Sequence, residues 1–223
     1  MRSSRFFPPI ELADANGLLA VGGRLTTPWL VDAYTHGIFP WPSADGTIYW
    51  CSPDPRPILE FDELHVSKRL ARTCRSGRFH ITCDRAFAEV IETCATIHDR
   101  GRFENMWIIP EMRTAYCRLH ELGIAHSVEA WHEGDLAGGV YGVSLGGAFF
   151  AESMFFRVRD ASKVAVVRLV RHLAARGFHL LDIQQLTPHT ARLGAREIAR
   201  ATFLRRLETA VSAPVTFGDA LEG

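Results

Sequence analysis

Ala125-His-Ser-Val-Glu-Ala-Trp-His-Glu-Gly-Asp-Leu-Ala-Gly-Gly-Val-Tyr-Gly-Val-Ser-Leu-Gly-Gly-Ala-Phe-Phe-Ala-Glu-Ser-Met-Phe-Phe156 reads as three strand-forming runs, 125–131, 136–144 and 148–156. The turns between them, Glu133-Gly-Asp135 and Leu145-Gly-Gly147, are too short for anything but antiparallel neighbours, so the stretch predicts an antiparallel meander. Asp160 then stands as the cap of a helix that turns Val164, Val167, Leu169 and Val170 inward and ends at Gly177. Beyond it, 178–183 predicts a further strand.

Working back from the meander, Pro110 opens a helix with Ala115, Leu119 and Leu122 on one side that stops at Gly123. Asp84 caps a helix to about 97, 79–83 is a strand, and Ser67 caps a basic helix. The first sixty residues are rich in Pro, Gly and Trp. They predict one helix from Pro28, capped by Thr27 and closed at Gly37, a rigid turn at Ile38-Phe-Pro-Trp-Pro42, and a short strand at 47–51. Ser52-Pro-Asp-Pro-Arg-Pro57 continues neither element, because its prolines remove donors and restrict their predecessors. The boundary therefore falls there, between a small loop-rich domain, 1–57, and a larger one, 58–223. A last helix covers 200–211. Three antiparallel strands, a helix and another strand is the order of an α/β (α+β) fold of the GNAT-like acyltransferase kind, with a mixed, largely antiparallel sheet.

At 223 residues and 47% hydrophobic, the chain can bury a full core. No apolar run approaches the roughly eighteen residues of a membrane span, and the first residues lack a signal peptide's apolar core, which points to the cytoplasm. Five cysteines with no C-x-x-C pair give neither a disulfide nor a zinc framework. Bases and acids balance at 25 each, so no global field draws in nucleic acid. The bases are uneven, however. Lys68, Arg69, Arg72, Arg75 and Arg78 fall in a stretch without an acid, and 68, 72 and 75 share a helix face, which is either solvated or a phosphate-contacting patch.

Glu152 is the lone ionisable residue in 148–156. An unpaired charge in a buried strand is costly enough that the group takes a proton or meets a cation. That cation is an internal Arg or Lys, or it comes with a ligand.

Three familiar signatures fail on context. His120-Glu-Leu-Gly-Ile-Ala-His126 looks like a zinc-protease helix, but its histidines are six apart rather than four, and Gly123 breaks the helix between them. Gly142-Val-Ser-Leu-Gly146 matches a hydrolase elbow, with Asp182 and His189 downstream. An elbow needs a strand followed at once by a helix, whereas this serine leads into a glycine turn. A serine hydrolase using Ser144 stays as the alternative enzyme. No glycine loop of the kind that holds coenzyme A is present. What is left suits acyl transfer without a metal. Asp182 and Gln184 are two apart in a predicted strand, so both point to one face, where the Asp can orient the Gln amide. Tyr34, Trp41, Trp50, Trp107 and Tyr116 recur at junctions, and tryptophans in proline-rich turns make stacking platforms for bases.

Gly17-Leu-Leu-Ala-Val-Gly-Gly23, Tyr34-Thr-His-Gly-Ile-Phe-Pro-Trp41, Trp50-Cys-Ser-Pro-Asp-Pro-Arg56, Leu119-His-Glu-Leu-Gly123, Ala125-His-Ser-Val-Glu129, Gly138-Gly-Val-Tyr-Gly-Val143, Glu152-Ser-Met-Phe155, Ala161-Ser-Lys163 and Leu193-Gly-Ala195 follow in order. Over about 7–207 the chain thus resembles the leucyl/phenylalanyl-tRNA protein transferase family. It departs from the family pattern at Ala151, Phe156 and Ile183, where Gly, Ser and Cys are expected.

The resemblance implies an enzyme that moves Leu or Phe, and Met less well, from aminoacyl-tRNA to the α-amino group of a protein's N-terminal Arg or Lys, marking it for degradation. The ester is already activated, so no cofactor, ATP or metal is implied. By the family's pattern Asp182 orients Gln184, which positions the acceptor amine, and Glu152 faces the acceptor cation. Trp41 and Trp107 would hold the terminal adenosine, with Tyr34 and Tyr116 nearby. Val140, Phe149, Met154 and Leu169 would form the aminoacyl pocket, and Lys68, Arg69, Arg72, Arg75 and Lys163 would meet tRNA phosphates. A monomer that uses no membrane is expected. The rival from outside enzymology is a non-catalytic module that binds basic N-termini, which needs neither tryptophan platforms nor a basic helix.

Overall fold

The computed structural model describes residues 3–98 and 108–222. The chain begins with a three-stranded antiparallel sheet, β1 (Leu18–Val21), β2 (Phe39–Pro42) and β3 (Ile48–Cys51), in the order β1-β3-β2. Helix α1 (Thr27–Thr35) lies between the first two strands, with Thr26 rather than Thr27 at its N-cap position. The stretch expected as a rigid turn is thus strand β2. It sits at a sheet edge, where Pro40 and Pro42 need not donate.

The proline run after β3 also enters a strand, β4 (Arg56–Ile58), against expectation. Pro57 serves the sheet through its carbonyl alone, which accepts from the Ile183 N–H at 3.2 Å. Next come α2 (Lys68–Arg75), β5 (His80–Cys83), α3 (Phe87–His98) and α4 (Pro110–Glu121). The meander follows as β6 (Ala125–His132), β7 (Asp135–Leu145) and β8 (Ala148–Phe156). Helix α5 (Ala161–Ala175) crosses to β9 (Leu180–Asp182), and α6 (Pro188–Ala191), β10 (Arg196–Ile198) and α7 (Arg200–Val211) complete the chain. The large sheet runs β10-β4-β9-β8-β7-β6-β5, with β8 and β9 parallel and the other pairs antiparallel, the mixed sheet that the sequence predicts.

Both faces of this sheet are covered. Tyr141, Val143, Phe150 and Phe155 pack with Tyr34, Val90 and Tyr116 on one side, and Val140, Phe149 and Leu181 with Val164, Val167 and Leu173 of α5 on the other. Burial on both faces is why β7 and β8 read as almost unbroken apolar runs.

Two irregularities disturb the sheet around β8. The pairing of β8 with β9 ends at Phe150 opposite Asp182, and Gln184 then takes a left-handed φ of +60°, so the strand predicted over 178–183 stops early. On the other side of β8, the register jumps from Gly142 opposite Ala151 to Tyr141 opposite Ser153. Glu152 is the extra residue of this β-bulge. Gly142 permits it, since a Cβ there would lie 2.2 Å from the Phe150 carbonyl oxygen.

Candidate active site

Bulges re-aim a side chain relative to its neighbours, and Glu152 is turned into a polar pocket of the core. It is buried, with 9% of its surface exposed. Gln184 Nε2 donates to its Oε1 at 2.6 Å, and the Tyr116 hydroxyl donates to its Oε2 at 3.2 Å. The hydroxyls of Tyr34 and Tyr116 are themselves joined by a short hydrogen bond. No Arg or Lys among the described residues forms an ion pair with Glu152. Burial pushes its carboxyl up to about 7; the hydrogen bonds from Gln184 and the tyrosines pull against that rise, and the nearby charge of Asp182 adds to it.

The internal arginine goes to Asp182 instead. Arg56 donates from Nε to Oδ1 at 3.0 Å and from Nη2 to Oδ2 at 2.6 Å, and both side chains are wholly buried. Its guanidinium lies over the rings of Phe39 and Phe203, 4.6 and 4.7 Å from their centroids, and Nη1 donates to the Gly37 carbonyl at 3.1 Å. Asp182 Oδ1 also accepts from the backbone N–H of Gln184 at 3.0 Å. This corrects the expected geometry. Gln184 lies past the end of β9, so the two side chains do not share a strand face. Asp182 fixes the Gln184 backbone in its left-handed turn, and Glu152 holds the amide.

With Nε2 committed to Glu152, the Gln184 carbonyl oxygen is the free end of that amide for a cationic donor. Glu152 and Gln184 border a cavity of about 350 Å³ whose other walls include Trp41, Val140, Met154 and Leu169. The three departures from the family pattern, Ala151, Phe156 and Ile183, all line the same cavity. An apolar chamber with a few convergent polar groups is what a small-ligand site requires.

Several expected contacts are not there. Phe149 does not line the cavity; it is 1% exposed and packs beside Phe178 and Phe217 in the core. Tyr34 and Tyr116 are wholly enclosed, so neither offers a face to a base, and their hydroxyls serve the carboxylate. Trp50 is likewise core, donating Nε1–H to Gly22 O at 2.8 Å. Trp107 lies outside the described residues. In α2, Ser67 Oγ caps Leu70 N as predicted, and Lys68, Arg72 and Arg75 are exposed. Arg69 is withdrawn from that set, because Asp160 binds it through two nitrogens. Asp160 accordingly makes no side-chain cap on α5, and Lys163 lies 3.8 Å from the same carboxylate.

The competing signatures come apart. Ser144 lies within β7 just before the glycine turn, Asp182 is held by Arg56, and His189 is on α6, so no triad forms. His126 bonds Asp84, which therefore does not cap α3, and His120 bonds the Ala125 carbonyl. Arg56 is the functional residue that sequence reasoning missed. The apolar stretch around Asp182 posed the same question as Glu152, namely which cation meets a buried acid.

The family model for leucyl/phenylalanyl-tRNA protein transferase matches residues 58–208, and the model for that family's N-terminal domain matches 23–54. A leucyl/phenylalanyl-tRNA–protein transferase of Chromohalobacter salexigens is 55% identical over 94% of this chain and 82% of its own. One from an Anaeromyxobacter species is 56% identical over 95% of this chain and 90% of its own. Among solved structures, a GCN5-related N-acetyltransferase-like protein from Streptococcus suis is 14% identical with a TM-score of 0.36, covering 76% of this chain and 63% of that one. Among the described residues, no helix is long and apolar enough to cross a membrane.

Proposed function

Because the chain belongs to the leucyl/phenylalanyl-tRNA protein transferase family, we propose that this enzyme, which moves an aminoacyl group from tRNA to a protein N-terminus, takes Leu or Phe, and Met less well, to an N-terminal Arg or Lys. The observation that carries the acceptor reading is Glu152, a buried carboxylate that is hydrogen-bonded but forms no ion pair among the described residues, on the wall of an apolar cavity. A cationic N-terminus supplies the missing charge.

The reaction is aminolysis of an ester. The acceptor nitrogen attacks the aminoacyl carbonyl, the new C–N bond forms, and the C–O bond to the ribose 3′-oxygen breaks, that oxygen leaving as a hydroxyl with the proton the amine gives up. A free α-amine has a pKa of about 8 and is mostly protonated at neutral pH, so it first gives one proton to water and attacks as the neutral amine. The Gln184 carbonyl accepts from the amine and orients it, and Glu152 holds the acceptor's positive charge beside it. Asp182, already paired to Arg56, moves no proton; it keeps Gln184 in place. Trp41, together with Trp107, stacks the terminal adenosine, while Val140, Met154 and Leu169 receive the Leu or Phe side chain. Lys68, Arg72, Arg75 and Lys163 meet phosphates without reading sequence.

The two family models meet between 54 and 58, which supports a division of the chain near 57, although Arg56 and Pro57 already pair in β4. The reading is of a monomeric cytoplasmic enzyme. Purified protein, labelled Leu-tRNA and peptides beginning with Arg, Lys or Ala test it. Label is expected on the Arg and Lys peptides alone; no transfer from intact Leu-tRNA would sink the reading.

A further inference from the structure

A second cavity of about 400 Å³ adjoins the first, and the two share His189 and Leu193 as a common wall. Its character is different. Arg69, Lys163 and Arg192 line it, together with His65, Ser67 and His189. Of these three bases, Arg69 and Lys163 divide the one carboxylate of Asp160 between them, so the cavity keeps an excess of positive charge.

His189 is the second observation. Its Nε2 is enclosed and has no hydrogen-bond partner among the described residues. Burial, followed by the charges of Lys163 and Arg192, holds its ring below the usual histidine range, which favours the neutral imidazole, whose one N–H can sit on Nε2. A buried polar nitrogen without a partner is costly, and such groups mark where a ligand completes the site. The segment that carries it is firmly built. Thr187 and Thr190 close a reciprocal capping box around α6, and Leu193 O accepts from His65 N at 2.9 Å. Gly194, at φ +99°, runs so close to Glu63 that a Cβ would lie 2.3 Å from its carbonyl oxygen. His189 and Arg192 are therefore presented from a fixed frame.

We infer that this second cavity binds the phosphodiester on the 5′ side of the donor's terminal adenosine, with Arg192, Lys163 and the Nε2–H of His189 as its donors. The inference rests on the donor reading above and gives the RNA a direction. From the aminoacyl cavity it passes His189, enters the basic cavity, and continues along α2, whose Arg69 and Leu70, with the cap residue Ser67, line that cavity. A cationic acceptor N-terminus is repelled from this cavity and drawn to Glu152, so the two chambers sort the two substrates by charge.

Calorimetry with an untransferable donor mimic, 3′-leucylamido-3′-deoxyadenosine, with and without a 5′-methylphosphate, tests this. The unmodified chain is expected to bind the phosphate form about ten- to a hundred-fold more tightly. Arg192→Ala, which lies outside the aminoacyl cavity, is expected to compress that ratio to about threefold or less while leaving the phosphate-free mimic bound as before, and His189→Leu is expected to compress the ratio likewise. His189→Gln keeps an N–H donor and is expected to recover part of the ratio. Equal affinity for the two mimics in the unmodified chain, or variants that weaken both alike, overturns the inference alone. Failure to bind either mimic overturns the donor reading, and the inference falls with it.

Discussion

Asp182 and Glu152 leave neighbouring strands of the same sheet, and each hydrogen-bonds Gln184, one through the backbone and the other through the amide. Their surroundings differ in one respect. Asp182 has a guanidinium on both oxygens, whereas Glu152 has two tyrosine hydroxyls in series and an amide, none of them charged. A buried acid that only shapes the fold is neutralised from within the chain; one kept for a substrate is left to be neutralised from outside.

The largest test of that contrast is on stability. Arg56→Met strands Asp182 without its cation and is expected to cost about 3–5 kcal/mol in urea unfolding, much of it regained in the double variant Arg56→Met/Asp182→Leu. A cost of about 1 kcal/mol or less would place Asp182 with exposed pairs and erase the difference between the two acids. The next effect is a pH dependence. Because the native carboxyl of Glu152 sits near 7 and the unfolded one in the ordinary glutamate range, the native state holds a proton that the unfolded chain has lost in that window. Stability is then greatest below the unfolded value and falls as pH rises to about 7, by on the order of 3 kcal/mol, and Glu152→Gln removes that fall. Unfolding curves of the two proteins at pH 5 and 8 check it; parallel behaviour would mean that Glu152 is already neutralised inside the protein. The smallest effect is on catalysis. Glu152→Gln is expected to lower kcat/KM for an Arg-peptide about ten- to a hundred-fold, the worth of a hydrogen bond to a charged group, with Leu-tRNA binding unchanged. Equal loss on both substrates would turn the assignment from the acceptor to the cavity as a whole.

Much of the fold was legible because its decisive signals are local. The two glycine turns set the meander, and the cap at Ser67 and the stops at Gly123 and Gly177 needed only neighbouring residues. The two strands that contain proline were missed because proline was read as a breaker. Pro40 and Pro42 sit on an edge and Pro57 uses its carbonyl alone, facts of pairing that no local pattern carries. In the site, a lone acid among phenylalanines exposed Glu152 at once. Arg56 escaped because it stands 126 residues from Asp182, and only the folded chain brings them together. The family resemblance puts Tyr34 and Tyr116 near the base, and sequence does not say whether a tyrosine's ring or its hydroxyl is used. The bulge at Glu152 and the left-handed Gln184 are likewise tertiary outcomes.

The guanidinium of Arg56 is gripped by Phe39 of β2 and by Phe203 of α7. The arm that sets Gln184 is therefore assembled from segments far apart in sequence. Gln184 is thus aligned by a clamp whose two halves belong to β2 and α7, and one side chain, Arg56, couples the small sheet and that helix to the site.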